Sequence, residues 1–448
     1  MSLAGYQREV VITGLGVVSP IGIGREAFWS SLQCGQSGVR PITRFDASRF
    51  PVQIGAEVVD FDPKAYVRPR KSLKVMSREI QYGFAAADMA MADANMVPLT
   101  VAPDRIGVVF AGDMIYCGLD ELESLYRQCL AGGEFDFRRW APVAMSEVFP
   151  LFLLRNLPNM IACHVAIAHD ARGPCNTIGH SDVGSLAALA EGVRVIQRDA
   201  ADVMVVGGVG ARINPTAYVY RGAADLSHLN ADPSRASRPF DAQRDGLVNG
   251  EGAAAFVLES LQHAQRRGAQ ILARVLSHAS AHEPLRGNQA VGARPLTGFA
   301  VKRVLAESLR RAQLEPADIG HVNAHGLSTI ADDRYEAQAI RAVLGDVPVT
   351  APKSFFGHLG GGGGAVELAA SILGLNAGEI PVTLNYEHPD PECPVNVIHG
   401  APLPVATSAA GPRIMSSETT SAAAVGRTAL KLSTSRLGHA AALIIAAD

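Results

Sequence analysis

Residues 173–184 read Gly-Pro-Cys-Asn-Thr-Ile-Gly-His-Ser-Asp-Val-Gly, and these residue types suit a reactive elbow. An apolar run leads in, and the helix-prone residues 185–197 lead out. The spacing therefore predicts a strand, a sharp turn and a helix start. Such a turn sets a short side chain at a helix N-terminus, where backbone N–H groups without intrahelical partners point at whatever binds. Many enzymes place a Ser or Cys nucleophile there; the elbow residue here is Asp182. A carboxylate at that position gains about 0.3–1 kcal/mol from the local dipole, so it is expected to be anionic. Cys175 lies seven residues earlier, on the strand, and shifting the frame to make it the nucleophile breaks the helix phase.

The elements that position this elbow can be read from the hydrophobic pattern. Residues 9–16, 105–112, 201–208, 253–259, 271–278, 319–324 and 347–351 are apolar runs closed by small or polar residues, as strands buried on both faces would be. Helical patterns fall at 24–32, 119–130, 261–267, 299–312, 334–344 and 365–375. Residues 353–358 read as a loop, and 140–154 as a lid or dimer segment. The strand 201–208, together with that segment, is expected to support a two-fold dimer. The similarity of 104–113 (DRIGVVFAGD) to 318–326 (DIGHVNAHG) hints at an internal duplication. A chain of 448 residues exceeds the roughly 250–300 at which one core stops growing, so two cores or one duplicated core are expected.

Composition excludes several function classes. A net charge of −3 gives no global attraction to nucleic acid or membrane. Six cysteines without a C-x-x-C pair suggest neither a disulfide framework nor a zinc site, and read as thiols of a reducing compartment. The apolar tail 440–447 is too short to span a bilayer, and no signal peptide precedes the first strand. A cytoplasmic protein is expected. The five glycines 360–364 lack the strand–GxxxxGK[ST] context of a phosphate loop, and close helix packing is the expected role. Residues 67–95 begin basic, with Arg68, Arg70, Lys71, Lys74 and Arg78, and continue as an Ala- and Met-rich helix. They read as a solvated face joined to a packed one, or as a docking patch for an acidic partner.

From residue 9 to 397 the chain resembles the β-ketoacyl-acyl carrier protein synthases, the condensing enzymes of fatty acid and polyketide synthesis. The resemblance rests on VVITGLGVVSPIG, ADVMVVGG, ASRPFDAQRDGLVNGEGAAAFVLE, VNAHGLSTIADDRYEAQAI, KSFFGHLGGGGGAVEL and TLNYEHPDPECPVNVI, in the family's order. It implies an α/β, thiolase-like fold: two duplicated halves, residues 1–260 and 261–448, stacked in five α/β/α/β/α layers and usually dimeric. In that family a Cys at the elbow takes the acyl group, and two histidines assist decarboxylation of a malonyl thioester and stabilise the oxyanion. The resemblance assigns the histidines to His325 and His358, the charge-holding lysine to Lys353, and an acidic supporting residue to Glu336. It also implies acyl carrier protein as partner, with Arg68, Arg70, Lys71 and Lys74 as docking residues, and an acyl or malonyl thioester as substrate. No cofactor, metal, nucleic acid or membrane is implied. Asp182, His325 and His358 are expected around one cleft, within about 8 Å of one another.

Two departures shape the functional expectation. The Cys position falls on Asp182, and a carboxylate is a poor nucleophile toward a thioester because the product is a mixed anhydride. The family's Gly-Phe-Gly-Gly-Thr-Asn gating loop is also missing. One frame places residues 418–422 there, and a preferred frame pairs 429–445 with the final strand and loop. Glu418 or Arg436 would then make the mouth polar. Three functions stay open: a thioester enzyme that decarboxylates without condensing; a silent, chain-length-factor-like partner of a Cys-bearing synthase, as homodimer or heterodimer; and an Asp182-based hydrolase or dehydratase.

Overall fold

The computed structural model describes residues 8–96, 101–284, 296–406 and 425–447. The strands along its main sheet are β1 (Val10–Ser19), β2 (Ile106–Gly112), β3 (Cys175–Ile178), β4 (Val203–Ala211), β5 (Glu251–Ser260), β6 (Ala273–His282), β7 (His321–Asn323), β8 (Pro348–Thr350), β9 (Asn396–Val397), β10 (Thr428–Thr434) and β11 (His439–Ala446), with short two-residue strands beside them. They lie on one hydrogen-bonded path in the order β9-β8-β7-β10-β11-β6-β1-β5-β4-β2-β3. β2 runs parallel to β3 and β4, and β5 is antiparallel to β4 and β1. The later strands repeat this pattern. β7 runs parallel to β8 and β10, and β11 is antiparallel to β10 and β6.

The duplication hinted at in the sequence is thus a repeated topology, with β2 and β7 in equivalent places. Each follows a proline-led 3-10 turn, Pro103–Arg105 or Pro316–Asp318. β1 and β6 meet antiparallel, Val10 opposite Val275, and join the two sets.

Alternation along the strands sorts the core into layers. Val108 and Phe110 of β2 pack outward with helices Arg78–Asp93 and Met160–Ala168. Val109 and Ala111 of the same strand face inward, against the elbow helix Gly184–Gln197 and the helix Gly363–Ala377. The other side of those central helices meets Ala429 of β10 and Leu443 and Ile445 of β11. Leu430, Leu432 and Ile444 point away from them, to helices Phe299–Ala312 and Ile330–Leu344. The result is the thiolase-like arrangement, helices, sheet, helices, sheet, helices. Among the described residues no helix is long and apolar enough to cross a membrane.

Three expectations are corrected. The apolar run entering the elbow is helical over Met160–Ala168, and the strand itself is the short, more exposed β3. Residues 353–358 are not all loop: Lys353–Phe356 forms a helical turn, which Gly357 ends. The strand at 201–208 cannot offer a dimer edge, because β4 is paired on both sides. The edge strand of this half is β3, which pairs with β2 alone among the described residues, as β9 is at the far end of the path. Segment 140–154, expected as a lid or dimer segment, carries helix Trp140–Glu147 and the start of Phe152–Asn156; it exposes Met145, Phe149, Leu151 and Leu153, and Phe137 just before it is exposed too.

Candidate active site

The elbow ends in a 3-10 turn, Ser181–Val183, that runs straight into the elbow helix. Ser181 is held at φ 47, a left-handed conformation that costs a non-glycine residue about 1–3 kcal/mol and turns Asp182 inward. Only 7% of Asp182 is exposed. The glycine run lies beside this turn for a steric reason. A Cβ on Gly210 of β4 would sit 1.9 Å from the Leu359 carbonyl oxygen, so no other residue fits where β4 passes the loop after His358. Gly360, at φ 57, completes the bend into the next central helix.

Two groups claim the same carboxylate oxygen. Asp182 Oδ1 accepts from Arg212 Nη2 at 2.9 Å and lies 3.1 Å from His358 Nε2. Burial alone would raise the Asp182 carboxyl, but the His358 ring and then the Arg212 guanidinium outweigh it and hold it well below the usual carboxylate range. His358 is pushed down to about 4, first by burial and then by Arg212, against the pull of Asp182. Near neutral pH the pair is therefore an anionic Asp182 and an uncharged His358 that donates Nε2–H. The standing counter-cation is Arg212, itself 8% exposed. Asp113 Oδ2 lies 4.0 Å from Arg212 Nη2 and accepts from Gly361 N–H at 3.1 Å.

His325 sits across from His358, ring centroids 6.0 Å apart and rings near perpendicular. It leaves the end of β7 in a loop pinned by Glu336, whose two oxygens accept from the backbone N–H groups of His325 (2.6 Å) and Gly326 (2.8 Å). Lys353 Nζ donates to the His325 carbonyl at 2.8 Å and lies 3.1 Å from Nδ1. Burial and then the Lys353 ammonium push His325 well down, so the ring is neutral. With the ammonium at Nδ1, the partners assign its proton to Nε2. Nε2 is buried and has no hydrogen-bond partner, which leaves one donor free beside Asp182 and His358.

A further charge network lies behind the lysine. Glu367 Oε1 takes Lys353 Nζ at 2.5 Å, and Oε2 lies 2.6 Å from Lys431 Nζ. Lys431 also donates to the carbonyls of Asn323 (3.2 Å) and Ala324 (3.1 Å). All three side chains are buried.

The structure therefore brings Asp182, His325, His358, Lys353 and Glu336 together. Arg436 lies elsewhere in its interactions, in the turn between β10 and β11, paired with Asp332 at 3.0 Å and with Asp225. Glu418 and the frame built on residues 414–422 fall outside the described residues. The other frame is seen as the β10–β11 hairpin. Arg68, Arg70, Lys71 and Lys74 are exposed on and beside the turn Arg70–Val75, whereas Arg78 turns inward to Glu251 at 3.3 Å and over the Tyr82 ring. Sequence reasoning missed Arg212, Asp113, Glu367 and Lys431. Each is a charge set in or just beyond an apolar run, and such a charge needs a buried partner. Among the described residues no group of His, Cys, Asp and Glu has the geometry to hold a metal ion.

A duplicated five-layer fold with an acid, two histidines and a lysine at its centre places the chain among thiolase-like proteins. The family model described as "Beta-ketoacyl synthase, N-terminal domain" matches residues 7–264, and "Beta-ketoacyl synthase, C-terminal domain" matches 272–387. The chain belongs to the beta-ketoacyl synthase family. It is 36% identical over 402 residues to the tetracenomycin polyketide synthase ketoacyl synthase alpha subunit of Streptomyces glaucescens, covering 88% of this chain and 90% of that one. It is 34% identical over 399 residues to 3-oxoacyl-[acyl-carrier-protein] synthase 2 of Synechocystis sp., covering 88% and 92%. The solved structure of the ishigamide ketosynthase/chain length factor superposes with a TM-score of 0.80 at 29% identity, covering 99% of this chain and 100% of that one.

Proposed function

We propose that this chain is a non-condensing ketosynthase-family protein that takes a malonyl thioester of acyl carrier protein and decarboxylates it. The observation that carries this reading is the closed pairing of Asp182 with Arg212 and His358 beside a free His325 Nε2–H. Asp182 occupies the position at which the family carries its Cys, and a carboxylate held as a stabilised anion does not keep an acyl group. His325 retains the other half of the chemistry. When the malonyl C–C bond breaks, CO2 leaves and the electron pair moves onto the thioester as an enolate. The developing oxyanion takes a hydrogen bond from His325 Nε2–H, and a proton taken from water at carbon gives the acetyl thioester. Lys353 and Glu336 act by fixing that ring. The exposed Arg68, Arg70, Lys71 and Lys74 are the proposed dock for the acidic carrier protein.

A second reading, a silent partner of a Cys-bearing synthase, is favoured by the open edge of β3 and the exposed apolar segment 137–153. Similarity to a ketosynthase/chain length factor structure supports it. The Asp182-based hydrolase or dehydratase is disfavoured, because Arg212 weakens Asp182 as a base. Mass spectrometry of malonyl-carrier protein incubated with the purified chain tests these readings. Acetyl-carrier protein without acyl-enzyme supports decarboxylation. Activity that appears only with an added Cys-bearing chain transfers the assignment to the partner reading, and a stable acyl-enzyme refutes both.

A further inference from the structure

The cleft next to Asp182 is lined by Glu79, Asp113, Tyr116, Arg212, Arg221 and Gly360, among others. Its free volume of ≈ 20 Å³ is little more than the roughly 10–15 Å³ that one water requires. A space this small takes no long alkyl chain, so its selectivity lies in the charges that line it. Its chemistry is rich in donors. Arg212 spends Nη2 on Asp182, while its Nε is buried without a hydrogen-bond partner. Arg221 is exposed, with its guanidinium over the Tyr116 ring, 5.6 Å from the centroid. Two acids oppose an anion here. Asp113 is partly engaged by the Gly361 N–H, and burial raises it; burial likewise pushes Glu79 up to about 7. Burial works against the charged form of both acids, whereas a guanidinium keeps its charge.

We propose that this cleft receives the terminal carboxylate of a short dicarboxylic acyl group, of the succinyl or glutaryl type, presented as a thioester. Arg212 Nε is the inner donor and Arg221 the outer one. The assignment rests on the thioester reading above and names the acyl class that this site accepts. An unpartnered buried guanidinium N–H gains a charge-assisted bond only from an acceptor, and an alkyl terminus has none.

Titration calorimetry of the full chain with stable amide analogues of succinyl-, glutaryl-, butyryl- and hexanoyl-pantetheine tests this. The dicarboxylic analogues are expected to bind at least about tenfold more tightly, as one charge-assisted bond implies. Arg221→Gln, at an exposed position, should narrow that ratio several-fold without loss of fold. Equal or tighter binding of the alkyl analogues overturns the proposal, and so does a ratio unchanged by Arg221→Gln. Decarboxylation of malonyl thioester without the preference overturns the cleft assignment alone. The preference without any decarboxylation supports the cleft and overturns the proposed reaction.

Discussion

Replacing Asp182 by Cys tests the electrostatics of the elbow directly. The thiol would replace the carboxylate 2.9 Å from the Arg212 guanidinium and 3.1 Å from His358 Nε2, at the start of the elbow helix. An ordinary cysteine has a pKa near 8.5, so about 3% is thiolate at pH 7. A fixed opposite charge within about 4–6 Å lowers an acid by about 1–3, to roughly 5.5–7.5 here, which makes about 24–97% thiolate at pH 7. Lower basicity also lowers nucleophilicity, with a Brønsted slope of about 0.4–0.5, so the midpoint of the pH–rate curve is a cleaner readout than the rate. Iodoacetamide alkylation followed by intact-mass spectrometry from pH 5 to 10 gives that midpoint, with exposed Cys34 as the reference within the same chain. Acyl loading from an acyl-carrier protein should appear in the variant and be absent from the wild type. A folded variant that alkylates with a midpoint at or above 8.5 would refute the argument that Arg212 makes the elbow electropositive. One that loads no acyl group shows a pocket changed beyond its nucleophile.

Arg212→Met alone leaves Asp182 buried without its permanent counter-ion and should cost about 3–5 kcal/mol, whereas Asp182→Leu with Arg212→Met should fall near wild type. At about 2.1 cal/mol/K per residue over 448 residues, the single change lowers Tm by only about 3–5 °C, so denaturant titration is the better measurement. Because burial holds His358 at about 4 against an ordinary 6.5, the unfolded chain binds more protons between those values. The stability His358 contributes is complete above pH 6.5 and is lost as pH falls through 4, roughly 3 kcal/mol at 1.36 kcal/mol per pH unit. His358→Gln should flatten that acid limb in urea titrations. Lys353→Met removes the cation behind His325 and should cut decarboxylation by roughly 100–1,000-fold, the usual loss when an oxyanion donor fails, with the larger share in kcat. Light scattering is expected to give a dimer, twice the 47.1 kDa chain; a monomer at micromolar concentration would contradict the role given to β3 and segment 137–153.

The strands were readable because those buried on both faces announce themselves as continuous apolar runs, as β2 and β4 do. The same signal misleads at 160–168, since an apolar run does not separate a buried helix from a strand. The elbow, both histidines, Lys353 and Glu336 carry local motifs and could be named in advance. Their counter-ions could not be assigned from local sequence. Arg212 meets Asp182 only because β4 lies two places from β3, across β2, a pairing that a sequence separation of 30 conceals. Glu367 and Lys431 were visible as charges inside apolar segments, yet which lysine each acid would hold is set by packing alone.

The duplication explains why the partners come from such distant positions. β3 and β8 are equivalent strands, each followed by a central helix, Gly184–Gln197 or Gly363–Ala377. Asp182 is delivered by the first of these helix starts, and His358 with the glycine run by the second. The two starts touch where the Ser185 hydroxyl donates to the Gly361 carbonyl and where a Cβ on Gly208 would lie 2.7 Å from that oxygen. The Asp182–His358 pair itself exists only where the two halves meet. Any shift of one sheet against the other must therefore change the 3.1 Å separation of Asp182 from His358 before it disturbs Asp182 and Arg212, which ride on the same sheet. The His358 contact is thus the one that spans the two halves, while Arg212 neutralises Asp182 from within its own half.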